Sequence, residues 1–187
     1  MYTHTHTHTH TRTQVEPFNR VLDVGCGNGA LASDIADNVP DVFVYAIDIV
    51  KQNIETALSN YNRTNVKYVC GDALVDLPDE HFNVIVLSNV LEHIENRVDF
   101  LFSLNKKYTP DKFLIRVPLF DRDWRVPLKK EIGMDYRLDK THFIEYLYSE
   151  FEEEINNAGL FIESAKINWG EIWAVVKSNE SKELTGV

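Results

Sequence analysis

The segment Asp23-Val24-Gly25-Cys26-Gly27-Asn28-Gly29 follows a short apolar run and precedes a helical pattern. A strand that ends in alternating glycines brings bare backbone close to a ligand, because glycine lacks Cβ and tolerates positive φ. That is the chemistry of a nucleotide-type cofactor site. Asp48 stands nineteen residues after Gly29, at the end of Val44-Tyr45-Ala46-Ile47, where one carboxylate accepts from both ribose hydroxyls. With Ala30 as its last member the loop also fits the dinucleotide fingerprint, so a nicotinamide-dependent oxidoreductase is a competing reading. Glu92, His93 and His142 are the candidates for proton transfer or metal ligation; His81 sits in a turn. Within residues 118–142, Arg122, Trp124, Arg125 and Tyr136 offer guanidinium and aromatic groups that stack on a planar ring and grip a carboxylate or phosphate.

Asp23 separates the two cofactor readings. A dinucleotide loop has an apolar residue there, whereas (Asp/Glu)-Xaa-Gly-Xaa-Gly-Xaa-Gly is the pattern of the class I S-adenosylmethionine-dependent methyltransferases, which residues 21–177 resemble. Gly71-Asp72-Ala73-Leu74 matches the family position whose Asp contacts the adenine amino group. The run Val86-Leu87-Ser88-Asn89-Val90-Leu91-Glu92-His93-Ile94 resembles the segment lining the methyl-transfer site, and Thr141-His142-Phe143 and Asn157-Ala158-Gly159-Leu160 also match. The resemblance implies S-adenosyl-L-methionine as cofactor, held by Asp23, Gly25, Cys26, Gly27, Asn28, Asp48, Ile49, Asp72, Ala73, Ser88 and Asn89.

The donor's sulfonium loses its charge as the methyl leaves, so aligning the acceptor is the main task. A hydroxyl acceptor also needs a base, or a metal that lowers its pKa. Glu92-His93 resembles the end of Glu-Xaa-Xaa-Glu-His, the metal-binding segment of ubiquinone-biosynthesis and small-RNA 2′-O-methyltransferases, and His142 can mimic the further His of the RNA group. Asn89 replaces the first Glu. The expectation is therefore a site without a resident metal, with Glu92 opening a helix and His93 lining the pocket. The expected activity is O- or N-methylation of a small, anionic metabolite bound by Arg122, Trp124, Arg125 and Tyr136. A non-catalytic S-adenosylmethionine-binding or regulatory subunit and a metal-assisted 2′-O-methyltransferase on RNA are the alternatives.

Short apolar runs alternate with helical periodicity from Arg20 onward, which predicts a Rossmann-like α/β fold: a doubly wound, mostly parallel seven-stranded sheet with helices on both faces. Strands are expected at 21–24, 42–47, 66–69, 84–87 and 113–117, and helices at 30–38, 52–61, 92–106 and 146–158. The 92–106 helix is expected to bury Val98, Leu101, Phe102 and Leu104. Residues 160–167 and 172–177 flank Asn168-Trp169-Gly170-Glu171 as a C-terminal antiparallel hairpin. Residues 119–140 are the least regular stretch.

The 187 residues suit one domain, expected over 12–178, after a disordered affinity tag at 1–11 with alternating Thr and His and before a tail at 179–187. Once that repeat is set aside little precedes the first strand, where many members of the family it resembles carry helices over the cofactor, so the expectation is an open site, a partner subunit as lid, or a chain cut from a longer protein. No apolar run approaches the roughly 18 residues of a membrane span, and no signal segment is evident. A cytoplasmic protein without membrane association is expected, with Cys26 and Cys70 as free thiols and a homodimer possible as its assembly. The net charge of -10 disfavours nucleic acid as a partner. Residues 106–140 nevertheless carry ten basic and six acidic side chains, an excess that suits an anionic small molecule.

Overall fold

The computed structural model describes residues 3–179, with side chains from residue 8 onward. Strands β1 (Arg20–Val24), β2 (Phe43–Asp48), β3 (Val66–Cys70), β4 (Val84–Ser88) and β5 (Lys112–Pro118) run parallel. Strands β6 (Leu160–Asn168) and β7 (Glu171–Ser178) form the antiparallel hairpin, and the sheet order is β3-β2-β1-β4-β5-β7-β6. The doubly wound seven-stranded sheet is the one predicted from the sequence pattern. Trp169 and Gly170 have φ of 50° and 73°, so positive φ at both central residues closes the hairpin in the sense that matches strand twist.

Side chains alternate between faces along each strand, and both faces are covered, so the strands are apolar almost throughout. Leu22, Ile47, Ile85, Leu87 and Phe113 pack with Leu101 and Leu104 of α4 (Arg97–Tyr108) and Phe151 and Ile155 of α6 (Tyr148–Asn157). On the other face Val21, Val44, Val84 and Val86 pack with Leu31, Ala32 and Ile35 of α2 (Ala30–Asn38) and Ile54 of α3 (Lys51–Asn60). The winding reverses between β1 and β4, which opens a crevice at their carboxyl ends.

The structure departs from the sequence expectations in four places. The Thr-His repeat, expected as a disordered tag, is helical: α1 (Thr3–Arg12) lies on α2, with Arg12 paired to Asp34 at 3.1 Å and His10 edge-on to Trp173 at 4.7 Å. Thr and His are weak helix formers, so it is the docking surface that the repeat itself could not reveal. The expected 92–106 helix begins only at Arg97; Leu91–His93 is a single 3₁₀ turn, and Phe102 points to solvent while Leu101 and Leu104 are buried. Tyr146 does not join α6 but bridges Leu119, and its hydroxyl donates to Glu154, which also receives Arg97 at 2.7 Å. The stretch expected to be irregular contains α5 (Arg125–Glu131). The expected tail lies outside the described residues except Asn179, whose N–H donates to the Gly159 carbonyl. Among the described residues no helix is long and apolar enough to cross a membrane.

Candidate active site

The glycine loop leaves β1 at the crevice, where the amides of Gly25 and Cys26 both donate to the Ile47 carbonyl at 2.8 and 3.1 Å. Gly25 has φ 68°, and a Cβ there would lie 2.7 Å from Val90 Cγ2, so the backbone both needs and exploits the missing side chain. Asp48 secures the opposite wall: Gly27 N–H donates to its Oδ2 at 2.9 Å and Val50 N–H to its Oδ1 at 2.8 Å. A cleft of about 320 Å³ results, lined by Asp23, Gly25, Cys26, Gly27, Asn28 and Ser88 from the expected cofactor set, together with Ala30, Leu31, His8 and Arg116. The other expected cofactor residues stand around it. Ile49 follows Asp48 as an exposed apolar surface. Asp72 is exposed, accepts from Leu74 N–H at 2.7 Å and so also holds a turn, and Ala73 is buried. Asn89 has φ 57° and donates its amide to the Arg116 carbonyl at 2.9 Å.

The residues fit the amino-acid end of an adenosyl donor. Asp23 is 2% exposed, and its Oδ2 finds no hydrogen-bond partner among the described residues, which is costly unless a cationic ligand group meets it. Burial, reinforced by the Asp48 charge, pushes its pKa up to about 7. The folded state thus binds this proton more tightly than the unfolded chain, so the contribution favours folding at low pH and is lost as pH rises from 3.8 to about 7. A ligand ammonium beside Asp23 reverses that preference. Binding of S-adenosylhomocysteine at about pH 6 is therefore expected to release close to one proton, read from calorimetry in buffers of different ionisation enthalpy. The release should vanish at about pH 8 and in Asp23→Asn; a buffer-independent enthalpy at the lower pH would contradict it. Burial pushes the Cys26 thiol far up, so it lines the loop without nucleophilic chemistry, and both cysteines are free.

Asp48→Ala removes two charge-assisted bonds that shape the loop as well as the expected ribose acceptor. It is expected to weaken S-adenosylhomocysteine by at least about 30-fold in a titration, and an unchanged affinity would show that the loop holds its form without the carboxylate.

Beyond Ser88 the 3₁₀ turn buries Glu92 and leaves His93 at the surface. Phe143 N–H donates to the Glu92 carbonyl at 2.7 Å, which brings the distant His142 alongside. Donor atoms of Glu92, His93 and His142 all lie within 4.8 Å of one another, and the two rings meet edge-on at 4.7 Å. Thr141 Oγ1 lies 2.9 Å from His93 Nδ1, and Glu145 Oε1 lies 2.9 Å from His142 Nδ1 while also accepting from Leu138 N–H. Burial pushes Glu92 up to about 7 against the lowering effect of its backbone hydrogen bond and of the Arg116 and Arg122 charges. Burial and the neighbouring His142 lower the pKa of His93. Glu145 is a residue that the sequence motifs do not mark; its place three residues after His142 is the one signal of its contact with that ring.

The four expected acceptor residues are not gathered in the cleft. Trp124 is 73% exposed, and the Arg125 guanidinium is tied to Asp123. Tyr136 stacks edge-on with Phe120 at 5.9 Å, and Lys130 caps both rings. Arg122, in the turn after β5, acts on Glu92 through its charge.

Residues 22–115 match the family described as methyltransferase domain. The chain is 30% identical over 154 residues to a ubiquinone biosynthesis O-methyltransferase of Rickettsia bellii, a match covering 78% of this chain and 63% of that relative's length. In three dimensions it resembles magnesium protoporphyrin IX methyltransferase of Synechocystis PCC 6803 with bound S-adenosylhomocysteine, with a TM-score of 0.71, 17% identity and coverage of 94% of this chain and 84% of the other. It also resembles a Haloferax volcanii methyltransferase complexed with the Trm112 activator, with a TM-score of 0.74, 15% identity and coverage of 94% and 90%. The family match, with the crevice at the strand switch point and the glycine loop, identifies the chain as a member of the class I S-adenosylmethionine-dependent methyltransferase family.

Proposed function

We propose that the chain transfers the methyl group to a hydroxyl oxygen of a small, anionic acceptor, a phenol or catechol bearing a carboxylate. The convergence of Glu92, His93 and His142 beyond the cofactor cleft carries this reading. A hydroxyl must shed its proton to become a nucleophile, and such a cluster serves that purpose; an amine acceptor has less need of it. The O-methyltransferase similarity of the Rickettsia bellii relative supports the same acceptor atom.

The donor set also fits a divalent cation. It offers one carboxylate and two imidazoles, and Thr141 and Glu145 engage Nδ1 of the two rings, which leaves Nε2 of each for a ligand. Glu92 Oε2 is buried without a hydrogen-bond partner among the described residues, an acceptor that a cation would satisfy. A cation bound there would lower the pKa of the acceptor hydroxyl. The cluster then has a use that the replacement of the first Glu by Asn89 did not require. Glu145 fixes the His142 ring, and Arg122 adds positive charge on the acceptor side for an anionic substituent.

The test is methyl transfer from S-adenosylmethionine to 3,4-dihydroxybenzoate, with and without Mn²⁺ or a chelator. Product methylated at oxygen, suppressed by the chelator and restored by Mn²⁺, is the expected result. Transfer confined to amines, or indifferent to substitution of all three residues, would refute the reading. Transfer to the 2′-hydroxyl of a short RNA alone would move the acceptor to nucleic acid, and cofactor binding without transfer to any acceptor would leave a regulatory subunit.

A further inference from the structure

The apolar residues left at the surface are not scattered evenly. Among the described residues, half of the large apolar side chains that stay exposed fall within residues 124–148. Isolated ones are ordinary on a protein surface, whereas a concentrated group marks a contact site. The centre of this group is α5. Trp124 and Ile132 flank the helix and Leu128 lies one turn from each, so the three recur at every fourth position along one side. Val126, on the opposite side, is fully buried and anchors α5 to the protein. The helix therefore has a second apolar face that meets solvent: Trp124, Leu128, Ile132 and the following Met134 are 44–73% exposed.

This face is held in place by its neighbours. The Met134 amide donates back to the Lys129 carbonyl at 2.9 Å, which turns the chain over the end of the helix. Lys130 Nζ stands 5.2 Å from the centre of the Tyr136 ring, Arg137 Nη1 donates to the His142 carbonyl at 3.2 Å, and Leu138 N–H donates to Glu145. These contacts join α5 to the segment that carries the exposed Phe143. A surface braced in this way meets a partner with little ordering cost.

Charge decides what covers it. Residues 119–148 contain six basic and six acidic side chains, so the other 13 basic and 23 acidic residues carry the whole net charge of -10. Two copies of so acidic a chain repel each other over most of their surface, but not here. A contact of this surface with itself about a two-fold axis also offers each sign its opposite, because the same mixed charges stand on both sides. An anionic lipid surface would repel the chain as a whole and leave the six carboxylates unmatched. We propose that the α5 face pairs two copies of this chain in solution, with Trp124, Leu128 and Ile132 of each at the centre and the interspersed charges at the rim. The segment that α5 braces also carries His142, so the interface borders the acceptor side of each copy. The pairing holds whatever the acceptor is.

Analytical ultracentrifugation of the full chain between about 1 and 100 µM is expected to show a reversible dimer. Leu128→Glu and Ile132→Glu each set like charges against each other in the apolar centre. Each is expected to raise the dimer Kd by at least about 100-fold, while melting temperature and S-adenosylhomocysteine affinity stay at wild-type values. Phe102→Glu makes the same change at an exposed site on α4 and is expected to leave the dimer intact. A wild type that stays monomeric throughout that range overturns the proposal. So does a dimer that survives both α5 substitutions, or one that Phe102→Glu disrupts equally. Sedimentation with phosphatidylglycerol vesicles is the second arm: a wild type that is monomeric in solution, yet binds vesicles in a manner lost in Ile132→Glu, would assign the face to lipid and overturn the pairing.

Discussion

Glu92→Gln is expected to slow methyl transfer by about 100- to 1,000-fold while S-adenosylhomocysteine affinity stays within about twofold of wild type. The amide keeps the size of the side chain but removes its charge and one acceptor site. Glu92 lies beyond the cleft lining, so the loss falls on the acceptor and its proton rather than on the donor. Folding does not confound the result. A buried carboxylate with its pKa raised to about 7 favours folding when protonated, and that contribution declines as pH rises from the ordinary 4.5 to about 7. The glutamine lacks this decline, so above about pH 7 the variant should melt no lower than wild type. Single-turnover transfer, donor titration and melting curves at two pH values separate the effects. A wild-type rate, or a parallel fall in donor affinity, would remove Glu92 from the acceptor chemistry. Glu145→Gln, which only loosens His142, should cost about tenfold in rate.

Gly29→Ala is expected to destabilise the fold by about 2–5 kcal/mol, lowering the melting temperature by roughly 5–15 °C. Two causes combine. Gly29 has φ 79° at the start of α2, where an L side chain is strained, and its Cβ would stand 2.7 Å from Ala57 Cβ of α3 and 2.8 Å from Tyr68 Cε1 of β3. Ala57 Cβ cannot yield without its backbone, so α2 or α3 must move and carry the loop with it. Gly27→Ala is the control. Its φ is 55°, but an added Cβ meets nothing within 4 Å, so only the backbone term of about 1–2 kcal/mol applies. Because Gly27 lines the cleft, that variant should lose donor affinity more than stability. A Gly29→Ala melting curve equal to that of wild type would show that α2 and α3 yield at no cost.

What the sequence determined by itself is local and periodic. Alternating apolar runs set the strands, and Gly25-Cys26-Gly27-Asn28-Gly29 with Asp23 set the loop, because backbone freedom and a buried acid are properties of the residues in place. Glu92, His93 and His142 were legible as candidates from their types. Their meeting was implied only by the family resemblance; what makes it is the Phe143 amide returning to the Glu92 carbonyl and the 3₁₀ turn that replaces the start of the expected helix. Trp124 and Arg125 were read as a binding surface from composition; the fold leaves Trp124 facing solvent and pairs Arg125 with Asp123, because exposure and pairing are settled by neighbours that the loop composition does not specify. Arg116 reads in sequence as one more basic residue on a strand. Only the register of β1, β4 and β5 puts it on the same face as Asp23, and only the hairpin supplies Glu171 beside it. Period and residue type fix which face a side chain takes, while the partner across a sheet depends on contacts between distant segments, and these exist only in the folded chain.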